Sequence, residues 1–156
     1  RPQQGRPRRL GWYEHEGRWI RRVKPPQMDM LTACRIVSAC STNQYWKATR
    51  TVAKRVLYGR PQGLLSTTRA EVHRARRGRP LRGLKLEAFA QALAGDKWAI
   101  ALDRWMLRYL GVRWPPRTRK RYDELAWVIE KEACEAGMYP RDYQAIVWER
   151  MRDGTE

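Results

Sequence analysis

Phenylalanine is almost missing from this chain: one Phe stands beside eight Trp and seven Tyr in 156 residues. Histidine is scarce as well, and His15 and His73 are too few and too scattered to mark a metal centre. The three cysteines, Cys34, Cys40 and Cys134, form no C-x-x-C pair. An odd, unpaired set excludes a disulfide framework and a four-cysteine metal or iron–sulfur site, so no metal and no cofactor is expected, and a reducing, intracellular setting is. No apolar run approaches the roughly 20 residues that span a bilayer. The segment Arg1-Pro2-Gln3-Gln4-Gly5-Arg6-Pro7-Arg8-Arg9 lacks the apolar stretch of a secretory signal, which argues against secretion. It also lacks an initiator Met, which fits a start after processing or behind a tag. Acidic residues are the last shortage: 16 Asp and Glu face 33 Lys and Arg, a formal net charge of +17.

What is present is a 42% hydrophobic complement, enough for one real core. The excess charge favours an anionic partner, nucleic acid or a membrane surface, without choosing between them. Its distribution is more informative. Residues 1–83 sum to +16 (20 basic, 4 acidic), residues 84–123 to +5, and residues 124–156 to −4. Such asymmetry predicts a shaped anion-binding face on the first half and a scaffold in the last helices. Trp and Tyr at this level suit interfaces and stacking as well as packing.

The fold class expected is all-α, a bundle of six to seven helices in one domain over residues 28–156. Residues 1–27, with four Pro, three Gly and a net of +6, are expected to form a basic arm that is disordered or docks through a short hairpin. Met30, Leu31, Cys34, Val37 and Ala39 recur at helical spacing, and Ser41-Thr42-Asn43 breaks the pattern. A second helix runs from about residue 44 to 57, with Tyr45, Thr49, Val52, Ala53 and Val56 inward. Ser66-Thr67-Thr68 with Glu71 offers a cap for a basic helix ending near Arg76. Leu86, Phe89, Ala90 and Leu93 mark the next helix. Residues 99–110 mark another, with Trp98, Leu102, Trp105 and Tyr109 on one face. The last two span about 122–136, with Leu125, Val128, Ile129 and Ala133 inward, and about 140–152, with Tyr143, Ile146, Val147 and Met151 packed.

Between the basic helix and the Leu86 helix lies Arg79-Pro80-Leu81-Arg82-Gly83-Leu84-Lys85. A tight loop that opens a helix at Gly83 presents backbone N–H groups able to hold a phosphate. Lys85 falls in the first helical turn, and 18 residues later Asp103 stands where it can cap the following helix. One helix and one turn can bring these two termini to a single cleft. An ammonium at the positive end of a helix is disfavoured, which raises the fraction able to attack a sugar carbon. A nearby carboxylate can stabilise developing cationic charge or move protons. Asp103 also has the simpler reading of a plain N-cap.

These residues resemble the hairpin of the helix-hairpin-helix DNA glycosylases, particularly the endonuclease III-like enzymes, whose motif reads L-P-G-V-G-x-K and is followed by a V-D-T-H-like segment. Pro80, Gly83 and Lys85 match that motif's Pro, second Gly and catalytic Lys, and Ala101-Leu102-Asp103-Arg104-Trp105 matches the segment that carries the catalytic Asp. Leu31 to Asn43 is similar to the family's early helix and its L-L-S-A-Q-A-T-D turn. The likeness extends over residues 28–152, in order, with motifs at about 20 positions. Leu81 replaces the first hairpin Gly, Cys40 replaces the Gln near the flipped base, and the stretch before the hairpin is shorter than in the enzymes. The resemblance implies a glycosylase or AP lyase acting on double-stranded DNA, damaged or abasic, as a monomer. Lys85 and Asp103 would be catalytic, and Cys40, Trp46, Trp105 and Tyr109 would line or stack in a base pocket. The DNA-binding set is Arg74, Arg76, Arg77, Arg79, Arg82, Gly83, Arg104, Lys120 and Arg121.

Separately, Arg77-Gly78-Arg79-Pro80 looks like the core of an AT-hook, an extended segment that lays arginines in a minor groove. A non-catalytic architectural DNA-binding protein is therefore the main alternative, followed by an RNA-associated basic protein and an inhibitor of a nucleic-acid enzyme.

Overall fold

A computed structural model describes residues 11–154, and helices are the only regular elements among them. They are α1 (Trp12–Val23), α2 (Met30–Ala39), α3 (Trp46–Leu57), α4 (Ser66–Arg76), α5 (Leu84–Leu93), α6 (Arg104–Tyr109), α7 (Arg119–Glu135) and α8 (Pro140–Arg152). The all-α expectation holds, with one helix more than the sequence pattern predicts.

That additional helix is α1, within the segment expected to be an arm. Tyr13, Glu16, Gly17 and Ile20 are buried at i, i+3, i+4 and i+7, one face of a helix. The density of charge in residues 1–27 hides this period. Gly17 lets α1 lie close on α5: a Cβ there would stand 3.0 Å from the Leu93 carbonyl oxygen. Buried Glu16 is neutralised by Arg50 of α3 at 2.6 Å, and the same guanidinium lies 4.7 Å from the Trp19 ring centre. The folded unit thus includes residues assigned to the arm, and residues 1–10 of that arm lie outside the described ones.

Two apolar clusters make the core. The first gathers side chains of α1 to α5, including Ile20, Ile36, Val37, Val56, Leu57 and Leu93. The second gathers Ile100, Leu102, Met106 and Leu107 with Tyr122, Leu125, Ile129 and Val147. Helix α5 lies between them: Leu86 and Phe89 pack on the first cluster, Leu84 and Ala88 on the second. Helix α1 bridges the halves by touching both α5 and α8.

Residues 99–103 are not helical, contrary to the 99–110 pattern. Side chains of the last two helices take their backbone groups instead. The Tyr122 hydroxyl donates to the Ile100 carbonyl at 2.6 Å and accepts from the Leu102 N–H at 3.0 Å. Gln144 accepts from the Ala101 N–H at 3.2 Å. With partners supplied from outside, the segment stays out of the helix, the Asp103 N–H turns back onto the Ala101 carbonyl at 3.1 Å, and α6 starts only after Asp103. Trp98, expected to face inward, is exposed, as are Tyr45, Val128 and Ile146. Tyr45 precedes α3 rather than lying within it, and Leu65, without a side-chain cap, precedes α4 in place of the expected Ser66 cap.

Candidate functional site

The site begins with the hairpin between α4 and α5. Helix α4 ends in a turn where the Gly78 N–H bonds the Ala75 carbonyl at 2.9 Å and the Arg79 N–H bonds the Arg74 carbonyl at 3.1 Å. Gly78 sits at φ 71°, the left-handed conformation in which glycine carries no Cβ penalty. This closed cap corrects the AT-hook expectation, because Arg77-Gly78-Arg79-Pro80 is folded back and not extended along a groove. The Arg74 side chain then holds the Pro80 carbonyl at 3.1 Å. Arg76 is also committed, donating to the Val56 and Leu57 carbonyls at the end of α3. Arg77, Arg79 and Arg82 remain exposed.

Two carboxylates fix the second half of the turn. Glu87 accepts from the Leu81 N–H at 2.8 Å and is itself gripped by Arg35 of α2, at 2.8 Å for the closest contact. Glu71 of α4 accepts from the Arg82 and Gly83 N–H groups. Gly83 precedes α5 at φ −66°, a conformation open to any residue, and an added Cβ would make only ordinary contact with Leu86. Lys85 follows in the first turn of α5, half-buried.

Asp103 caps α6. One carboxylate oxygen accepts from the Trp105 N–H at 3.0 Å and the Met106 N–H at 2.9 Å. The N-cap reading of this residue is therefore correct. It also has a second environment: burial pushes its carboxyl above the ordinary range, against the pull of the Met106 amide, the Lys85 charge, the Trp148 indole and the Trp105 amide. The Lys85 charge thus acts on Asp103 across the seam between the two clusters, and among the described residues no ion pair joins the two side chains. Tyr13 and Tyr122 feel the same carboxylate. Burial, with a smaller contribution from Asp103, pushes the Tyr13 phenol well up, and burial pushes Tyr122 up to about 12.

Aromatic rings adjoin this seam. Trp12 lies 5.0 Å from Trp46, 6.1 Å from Phe89 and 6.4 Å from Trp148, centre to centre. Phe89 is one turn beyond Lys85 on α5, and Trp148 reaches Asp103. The indole nitrogen of Trp46 is buried without an acceptor. Of the residues expected near a base, Trp46 belongs to this group. Cys40 does not: it is buried in the first cluster, where desolvation pushes its thiol up to about 11. Trp105 lies between the guanidinium groups of Arg104 and Arg108, at 5.2 and 4.9 Å. Tyr109 commits its hydroxyl to Glu132 of α7 at 2.6 Å. Lys120 and Arg121 open α7, and Arg121 faces Glu124 at 3.4 Å.

Sequence reasoning missed Trp12, Tyr13, Gln144 and Trp148 as neighbours of the site. Trp12 and Tyr13 carried a signal, the helical period of residues 13–20. Gln144 and Trp148 carried none, since only the return of α8 against α1 brings them there. Among the described residues no three His, Cys, Asp or Glu side chains cluster to hold a metal, and no helix is long and apolar enough to cross a membrane.

No curated protein and no solved structure matches the chain. Residues 3–155, nearly its whole length, match the family of unknown function DUF7178, and the chain belongs to that family.

Proposed function

We propose that this protein binds duplex DNA through its hairpin and acts as a DNA glycosylase with AP-lyase activity, Lys85 being the nucleophile and Asp103 its proton carrier. One observation carries the reading: the charge of Lys85 acts on the Asp103 carboxyl of a separate element, at a seam bordered by aromatic rings. Burial raises the Asp103 carboxyl, which makes it a better proton acceptor than an exposed Asp.

In the mechanism, neutral Lys85 Nζ forms a bond to the sugar C1′ as the C1′–N bond breaks, and the base leaves with that electron pair and is protonated. Asp103 opposes the positive charge that develops on the sugar and accepts a proton from the Lys85 amine. The sugar O4′ leaves C1′ as a hydroxyl, giving an imine to Lys85. Loss of a C2′ proton then breaks the C3′–O bond, and water releases the lysine. The Trp46 N–H, buried without an acceptor, suits a base that offers one, and the neighbouring rings suit its flat faces. Exposed Arg77, Arg79 and Arg82 suit phosphate contact whether or not catalysis follows.

Borohydride trapping on duplex DNA with an abasic site tests this. Wild type should form a covalent adduct, and Lys85→Ala should lower it by at least about 10³-fold, as loss of a nucleophile does. An adduct that persists in Lys85→Ala removes the nucleophile. Tight duplex binding with no adduct from wild type leaves the architectural DNA-binding protein as the reading.

A further inference from the structure

Glu71 and Glu87 hold the same turn under different conditions. Glu87 is neutralised: Arg35 forks onto it at 2.8 to 3.2 Å, and the two side chains are only 8% and 12% exposed. Its contact with the Leu81 N–H is a fixed part of the fold. Glu71 receives N–H bonds from Arg82 at 3.0 and 3.1 Å and from Gly83 at 3.3 Å. Among the described residues, no lysine or arginine lies within ion-pair distance of it. Yet Glu71 lines a cavity of about 280 Å³ together with His73, Arg74, Arg77, Arg79 and Arg82. A single carboxylate therefore occupies two backbone donors beside a cavity that four arginines line, and backbone N–H groups alone hold it.

A phosphodiester presents the same pair of anionic oxygens with one charge and gives the surrounding arginines a partner they can reach. We propose that the Arg82 and Gly83 amides, with the arginine rim, form a phosphodiester site that Glu71 occupies from within, and that a docking DNA backbone displaces the Glu71 carboxylate. The inference rests on the duplex-binding part of the reading above, and not on catalysis. Displacement makes Glu71 a competitor with its own ligand: it lowers affinity for isolated anions and leaves the site to a phosphate that the rest of a docked duplex holds in position.

Two variants test it, Glu71→Gln, which keeps the shape and one acceptor for the Arg82 N–H, and Glu71→Ala. Glu130→Gln on α7, which removes an equal charge from an exposed position, is the control. Duplex binding is measured by fluorescence anisotropy across a salt series, and thermal unfolding is followed with added inorganic phosphate. Both Glu71 variants should bind duplex roughly tenfold tighter than Glu130→Gln, as expected when a charge-assisted competitor is removed. Inorganic phosphate should raise their melting temperature more than that of wild type. If wild type binds duplex and neither cooperatively folded variant gains over Glu130→Gln, the displacement is refuted while DNA binding stands. If no form binds duplex at low salt but the variants gain phosphate stabilisation, the anion site stands and the DNA reading falls. Should Glu71→Ala not fold, Glu71→Gln carries the same two readouts.

Discussion

The α1–α5 half of the molecule buries two carboxylate–guanidinium pairs between helices, and the α6–α8 half uses buried side chains to hold a stretch of backbone, though Ser38 and Thr49 of the first half also bond backbone carbonyls and buried Arg141 of α8 meets Asp142 at 3.1 Å. In the first half carboxylates meet guanidinium groups, Glu16 with Arg50 and Glu87 with Arg35. In the second half Tyr122 and Gln144 meet backbone groups of the 100–102 segment. Their charges differ too, with +16 over residues 1–93 (21 basic, 5 acidic) and +2 over residues 104–156 (11 basic, 9 acidic). The first half brings the hairpin, its arginines and Lys85, and the second brings Trp148 and the segment that presents Asp103. Neither half contains both Lys85 and Asp103, so the proposed gripping surface and the proposed site at the seam are separable properties.

Breaking the first half's ionic device should have the largest effect. Arg35→Ala leaves the Glu87 carboxylate in a half-buried place without its cation, and should lower the unfolding free energy by about 3–5 kcal/mol in a denaturant titration. A loss under about 1 kcal/mol would mean that Glu87 reaches water and that the two halves differ less than their contacts suggest.

Electrostatic grip should divide the halves next. Arg79→Ala and Arg82→Ala should each reduce the salt slope of duplex binding by about 0.9. Arg152→Ala of α8, paired with Asp153 at 3.1 Å, should leave it unchanged. Equal slopes for all three variants would erase the assignment of the binding face.

The smallest effect concerns Asp103. Its folded carboxyl keeps a proton to higher pH than the unfolded chain does, because burial raises it. The stability tied to that proton is fully present below the ordinary Asp range and is lost as pH rises through the folded value. Asp103→Asn should therefore be at least as stable as wild type at neutral pH, with a flatter pH dependence of the denaturation midpoint. Asparagine keeps the cap, whereas Asp103→Ala should cost about 0.5–2 kcal/mol. If Asp103→Asn behaves like Asp103→Ala at neutral pH, the ionised carboxylate itself stabilises the fold and burial does not raise it.

Periodicity located most of this. The stripes in α2, α5 and α7 and the Gly and Pro breaks between helices were legible because spacing at 3.6 residues is a local property. The Pro80–Lys85 turn and the Asp103 cap were legible for the same reason: both are made by neighbours in sequence. Helix α1 was obscured by charge that its exposed face carries. The non-helical 99–103 segment had a helical composition, and its fate was set by Tyr122 and Gln144, 20 and 43 positions away.

By itself, then, the sequence determined a basic all-helical domain with most of its net positive charge ahead of Lys85, since composition and period need no partner in space. Tertiary structure alone decided three things. It fed the Arg82 and Gly83 amides a carboxylate instead of leaving them open. It buried Cys40 while bringing Trp12, Phe89 and Trp148 beside the seam. It brought the Lys85 charge to act on the Asp103 carboxyl, with α5 lying between two apolar clusters. Each of these depends on which distant groups desolvate and satisfy one another, and chain spacing carries no record of that.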